Sequence, residues 1–235
     1  MGRKVEKKRT GIWVFFMIFL IGAVSSQVDA QEGLQGNLRP GSMLPRILFR
    51  ASSPEDSRYL GIGKKKVFTF QDISAKVLLV DYINSNCSNC IRSAPIFVEL
   101  YRKIEEDSLL RGKVKMLAIG AGDTQTEVNY FKENFKIPYP IFPDEEYKAH
   151  DAVGAPRVPF LVIARRDSQG KWVVVETRLG MIGEGEYKST TYLEEDWLVL
   201  KAEGGISSLD DFLEELRGIL STKGEPDRSK GKKRP

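Results

Sequence analysis

Residues 76–83, KVLLVDYI, form an almost unbroken apolar run, and NSNCSNC follows at once. A strand with one face in water alternates apolar and polar side chains, so a run without alternation predicts a strand buried on both faces. Such a strand needs a layer of helices on each side, which is the α/β arrangement. The next stretch, CSNCIRSAPIFVELYRKIEED, places Ile91, Ala94, Val98, Tyr101 and Ile104 or Glu105 at helical spacing, with the charges mostly opposite. Cys87 therefore falls in the first turn of a helix leaving a central strand. Unpaired backbone N–H groups and the helix dipole at that point stabilise a thiolate. Cys90, one turn on, lies on the same face and is placed to close a disulfide from the less exposed side. Pro95 removes a hydrogen bond inside the helix and predicts a kink.

The charge has to be divided along the chain before it is interpreted. The formal net charge of the 235 residues is +4, yet residues 1–30 hold five basic and two acidic side chains and residues 223–235 hold six and two. The other 25 basic and 28 acidic side chains give residues 31–222 a net charge of −3, which argues against a nucleic-acid surface. With hydrophobic residues at 41%, that central stretch is long enough to bury the core of one domain. Residues 223–235 are poor in apolar side chains and read as a disordered basic tail, with contact to anionic lipid headgroups as the lesser alternative.

Residues 1–30 have the composition of an export signal: a basic start, MGRKVEKKRT, an apolar stretch of 13, IWVFFMIFLIGAV, and VDA before Gln31. The stretch is shorter than the roughly 20 residues that span a bilayer, and a retained N-terminal anchor is the alternative. Export implies an extracytoplasmic, periplasmic setting, where disulfides persist. Cys87 and Cys90 are the chain's two cysteines. A bridge across so short a loop removes little unfolded-state entropy and makes a poor staple. A zinc site is also thin, because four ligands are needed and the single histidine, His150, lies sixty residues on. Spacing and context favour redox chemistry, with staple and metal site as the alternatives.

Strand, CxxC and a proline five residues after the second cysteine together resemble the thioredoxin superfamily, particularly its exported TlpA/ResA-like thiol-disulfide oxidoreductases. The resemblance covers roughly residues 44–180 and the terminal helix. It implies a thioredoxin-like fold with a central mixed sheet flanked by helices. Asp81, six residues before Cys87, matches the buried acid that helps move the proton of the resolving cysteine. RVPFLVI at 157–163 has the form of the cis-proline loop, which would set Pro159 and Val158 against the cysteines. Catalytic roles are thereby implied for Cys87, Cys90, Asp81 and Pro159, and substrate-facing ones for Val158, Asn86, Ser88 and Asn89. Asn86 stands where thioredoxins usually carry tryptophan, and Ser88-Asn89 replaces Gly-Pro, positions that tune the stability of the thiolate and with it the redox potential. The expected activity is protein-disulfide reduction without metal or cofactor, by a monomer acting on exported thiol or disulfide proteins and re-reduced by a membrane electron donor.

Two other activities are argued against by particular residues. Copper-delivering relatives add a distant histidine to cysteines separated by three residues, whereas this pair is separated by two and EEYKAHDAVG reads as an exposed helix. Residues 120–146 resemble the middle of peroxiredoxins, but the threonine and proline that serve peroxide there correspond to Asn84 and Val80 here. Weak peroxidase activity is the expectation.

The remaining elements complete one layered domain. Residues 113–122 read as a second buried strand, and 123–135 as a helix capped by Asp123 or Thr124, with Val128, Phe131 and Phe135 inward. A short strand and helix follow, then a hairpin turning at 167–170. A last helix at 208–220 has a serine cap and directs Leu209, Phe212, Leu213, Leu216 and Leu220 to the core. KKKVFTFQDI predicts an extra N-terminal hairpin. Residues 181–205 form an insertion before the last helix: either a flap facing substrate or partner, or a peripheral hairpin packed through Trp197 and Leu198.

Overall fold

The computed structural model describes residues 1–2, 38–180 and 208–221. The expected export signal (residue 3 onward), the 181–205 insertion and the basic tail lie outside the described residues. No described helix is long and apolar enough to cross a membrane.

Strands β1 (Phe49–Arg50) and β2 (Val67–Phe68) pair antiparallel and flank helix α1 (Pro54–Leu60). Then come β3 (Val77–Ile83), α2 (Ser88–Glu106), β4 (Val114–Ala121), α3 (Gln125–Asn134), β5 (Ile141–Asp144), α4 (Lys148–Asp151), β6 (Phe160–Arg166), β7 (Trp172–Leu179) and α5 (Leu209–Ser221). Five strands form one mixed sheet in the order β5-β4-β3-β6-β7. The β3/β4 and β4/β5 pairs are parallel, while β3/β6 and β6/β7 are antiparallel. The doubly covered sheet expected from KVLLVDYI is present, and all seven residues of β3 are buried.

Alternation along β3 divides the core in two. Val77, Leu79 and Ile83 point into one cluster with Ala94, Phe97, Leu100 and Ile104 of α2, Val128 and Phe131 of α3, and Phe212, Leu213, Leu216 and Ile219 of α5. Leu78, Val80 and Tyr82 point into the other, built from Phe49, Leu60, Phe68, Phe70, Phe142 and Trp172. The buried stripe of α2 starts at Cys90 and runs through Ala94 and Phe97, whereas Ile91, expected to face inward, is 38% exposed. Cys90 rather than Ile91 meets the sheet because the turn that places Cys87 at the helix start fixes the rotation of everything after it. Pro95 lies inside the helix as expected.

The N-terminal addition is more than a hairpin. A serine cap, Ser53 accepting from the Asp56 N–H at 3.0 Å, starts α1 between the two short strands. That helix also serves the sheet. β5 covers only the second half of β4, and the Tyr59 hydroxyl accepts the Met116 N–H at 2.9 Å on the part left uncovered. At the far edge, Trp172 is fully buried and donates from Nε1 to the Phe70 carbonyl at 2.6 Å. Arg178 of β7 donates to Glu176 at 2.6 Å and to Glu215 of α5, which pins the last helix on the sheet. Ser208 caps that helix, accepting from the Asp211 N–H at 3.1 Å, as the sequence predicts.

Leu100 is fully buried between α2 and the sheet. Leu100→Ala is expected to cost about 2–5 kcal/mol of unfolding free energy. In urea denaturation the midpoint should fall with little change of slope.

Candidate active site

Residues 84–86 carry the chain from β3 to the start of α2, and their hydrogen bonds determine where the sulfurs sit. The Asn84 carbonyl accepts the Cys87 N–H at 3.0 Å, and the Cys87 carbonyl accepts the Ile91 N–H at 3.0 Å, which opens the helix. Cys87 is the N-cap residue itself, in an extended conformation. Its thiol makes no capping bond, but the N–H groups of Cys90 and Asn89 face the sulfur and stabilise its ionised form. Both cysteines are free thiols, Cys87 partly exposed and Cys90 only 1% exposed.

This environment separates the two thiols. The Cys90 thiol donating to the Cys87 sulfur is the largest influence on Cys87. With the two N–H groups and the charge of Arg92 it outweighs burial and holds Cys87 at about 6, against an ordinary 9.0. The same bond is the largest reason that Cys90 lies far above its ordinary value, followed by burial and the nearby charges of Cys87 and Asp81. Partly exposed Cys87 is thus the first of the two thiols to ionise, and Cys90 keeps its proton while Cys87 is charged.

Asp81 lies on the same face of β3 as Leu79 and Ile83, beneath α2. It is 4% exposed, and its Oδ1 has no hydrogen-bond partner among the described residues. Burial, then the charge of Cys87, push its carboxyl well above the usual carboxylate range. Opposite the cysteines, Val158-Pro159 is a cis peptide, and the Cys87 thiol donates to the Val158 carbonyl at 3.6 Å. Pro159 is buried, and its carbonyl accepts the Gly180 N–H at 2.9 Å, so Val158 is the residue that presents backbone to Cys87. Asn86 and Ser88 are exposed on either side of Cys87, whereas the Asn89 side chain is turned to accept from Arg92.

Two residues have roles the sequence did not announce. Asp123, one of the two candidate caps, does not cap α3. Thr124 does, in a reciprocal box with Glu127. Asp123 is instead 1% exposed and accepts from the Ser85 N–H at 2.8 Å, the Ser85 hydroxyl at 2.8 Å and the Asn84 side-chain amide at 3.1 Å. His150, read as part of an exposed helix, is partly buried in a single helical turn. Its Nε2 donates to the Pro156 carbonyl at 2.7 Å, while its backbone N–H donates to Asp144 at 2.8 Å. It braces the approach to the cis-proline loop. No periodicity marks either contact, because both join residues from separate turns.

The peroxiredoxin-like alternative gains nothing from these positions. The Asn84 amide is committed to Asp123 and the Ala121 carbonyl, and Val80 is buried in the cluster on the other face of the sheet.

No protein-family model and no curated protein matches the chain. Solved structures do match. An uncharacterized conserved protein from Geobacillus kaustophilus aligns with TM-score 0.51 at 15% identity over 83% of this chain and 89% of that one. A hypothetical protein from Sinorhizobium meliloti aligns with TM-score 0.50 at 14% identity over 83% and 91%. The thioredoxin domain of a thiol-disulfide oxidoreductase from Bacteroides vulgatus aligns with TM-score 0.47 at 14% identity over 61% and 90%. The five-stranded mixed sheet between helices, with a separate N-terminal strand pair, has the arrangement expected of a thioredoxin-like fold.

Two titrations check the electrostatics. Alkylation of Cys87 in the reduced protein should rise with a midpoint near pH 6. Cys90→Ala removes the principal donor and should move that midpoint upward. Asp81 is an acid whose folded value is raised, so folding opposes its ionisation. Below about pH 4 folded and unfolded carboxyls are both protonated, and above it the unfolded one ionises first and stability is lost as pH rises. Asp81→Asn should therefore raise unfolding free energy at pH 7–8 and change little at pH 3, as read by denaturation across pH.

Proposed function

We propose that this chain is an extracytoplasmic thiol-disulfide oxidoreductase that reduces disulfides in exported proteins. The observation that carries the reading is the asymmetry of the pair: a partly exposed, acidic Cys87 at a helix start, and a buried, proton-holding Cys90 beneath it. The export-like composition of residues 1–30 supports the compartment. The thioredoxin-like fold is compatible with the chemistry.

In the proposed cycle the Cys87 thiolate attacks one sulfur of a substrate disulfide. A bond forms between Cys87 and the substrate, and the other substrate sulfur leaves as a thiolate and takes a proton from water. Cys87 then no longer carries charge or accepts from Cys90. The largest cause of the high Cys90 value is removed at the moment Cys90 must ionise. The charge that opposed ionisation of Asp81 goes with it, so Asp81 releases its own proton to water and then, as carboxylate, takes the Cys90 proton. Cys90 attacks Cys87, the second substrate sulfur leaves as a thiolate and takes the proton held by Asp81, and Cys87 and Cys90 are left as a disulfide holding the oxidation equivalent. A membrane-bound dithiol donor returns two electrons and two protons. The Val158 carbonyl, with Asn86 and Ser88 beside it, would align the substrate backbone next to Cys87.

Redox titration of the full chain in defined thiol buffers tests this. A reversible two-electron transition near about −270 mV is the expected result, one near about −120 mV would make the protein an oxidant, and no reversible transition would overturn the redox reading. Cys90→Ser should trap mixed disulfides with exported proteins, and Cys87→Ser should trap none.

A further inference from the structure

The loop before Cys87 is held to the sheet by one carboxylate. Asp123 stands just beyond β4, and its two oxygens accept three hydrogen bonds, all from Asn84 and Ser85. Asn84 in turn reaches both cysteines. Its carbonyl accepts the Cys87 N–H at 3.0 Å, and its own N–H faces the Cys90 sulfur. Its side chain is fully used: Oδ1 accepts the Asn86 N–H at 3.0 Å, and Nδ2 donates to the Ala121 carbonyl at 2.8 Å as well as to Asp123. The carboxylate lies flat against β4 because Gly120 has no side chain. A Cβ there would sit 2.8 Å from Asp123 Oδ2 and 2.6 Å from a Val128 methyl. A buried carboxylate is costly unless its lone pairs are filled, so a position whose side-chain partners among the described residues all lie in the loop before Cys87 is a constraint on that loop.

We propose that Asp123 is a positioning residue for the thiol chemistry, its carboxylate clamping Asn84 and Ser85 to the end of β4 so that Cys87 and Cys90 keep the geometry in which one sulfur donates to the other. The inference rests on the redox reading above, since it assigns Asp123 to that pair. Asp123 touches neither substrate nor sulfur and acts through Asn84. Without the clamp the 84–87 turn loosens, the N–H groups at the helix start no longer aim at Cys87, and its thiolate is less stable. A less stable thiolate disfavours the dithiol, so the equilibrium moves toward the disulfide.

The test compares the full chain with Asp123→Ala, Asp123→Asn and Ser85→Ala by Cys87 alkylation against pH and by titration in thiol buffers. Thr124→Ala, which removes the cap of α3 and not the clamp, is the control for general destabilisation. Asp123→Ala should raise the Cys87 midpoint clearly above the wild-type value and shift the thiol-disulfide constant about tenfold toward the disulfide, about 30 mV more negative. Asp123→Asn should shift both less, and Thr124→Ala should lower the melting temperature with neither readout moved. If Asp123→Ala does not fold, Asp123→Asn and Ser85→Ala decide. Wild-type midpoints and constants in the folded clamp variants would overturn the proposal, whatever their melting temperatures. The Cys87 midpoint is readable even in a chain with no reversible redox transition, so failure of the clamp and failure of the redox reading are separate results.

Discussion

Burial of β3 on both faces and along both edges is the constraint from which the rest of the molecule follows. Its backbone is paired with β4 on one side and β6 on the other, and its side chains fill two separate clusters. A strand so enclosed positions whatever leaves its end with little freedom. Four residues later Cys87 caps α2, and the first turn of that helix presses Cys90 onto the sheet above Asp81. The sulfur pair thus inherits its precision from the most enclosed part of the domain, while the neighbours of Cys87 stay in water.

The site works through shared charge rather than through any single strong group. The Cys90 thiol turned to the Cys87 sulfur both lowers Cys87 and raises Cys90. Asp81 adds a third member whose ionisation is opposed first by burial and then by the Cys87 charge. Removing that one charge, as a mixed disulfide does, relaxes the other two groups together. The coupling needs a dry interior, because in water a charge several ångströms away would be screened. The apolar stripe of α2 and the last helix, held by Arg178 and Glu215, supply that interior.

Much of this was legible in the chain. An apolar run next to CxxC, helical spacing after it and a further apolar run at 160–163 located β3, α2, β6, Cys87 and Cys90, because each signal is local and periodic, whereas Asp81 and Pro159 were implied by the resemblance to thioredoxins. The errors were also physical. Ile91 has the apolar character of an inward residue and points outward, since the rotation of α2 is fixed by the turn at Asn84 and not by hydrophobicity. Helix α1 was not expected, being only seven residues and hidden between two strands of two. Of the two candidate caps, Asp123 and Thr124, the structure selects Thr124 and turns Asp123 to the loop before Cys87, which its place beside a helix start does not reveal.

The sequence by itself determined the layered α/β class, the central strand and the chemistry available at its end, for those depend on composition and on spacings of a few residues. Only the tertiary structure decided that the Val158 carbonyl rather than that of Pro159 meets Cys87, and that Asp123 and His150 brace the two loops meeting there. Those contacts join residues 39, 71 and 6 positions apart through hydrogen bonds whose geometry exists only after the strands are in register. A pattern of residue types carries no record of such bonds, because any acceptor brought to that place by the fold would satisfy the same donors.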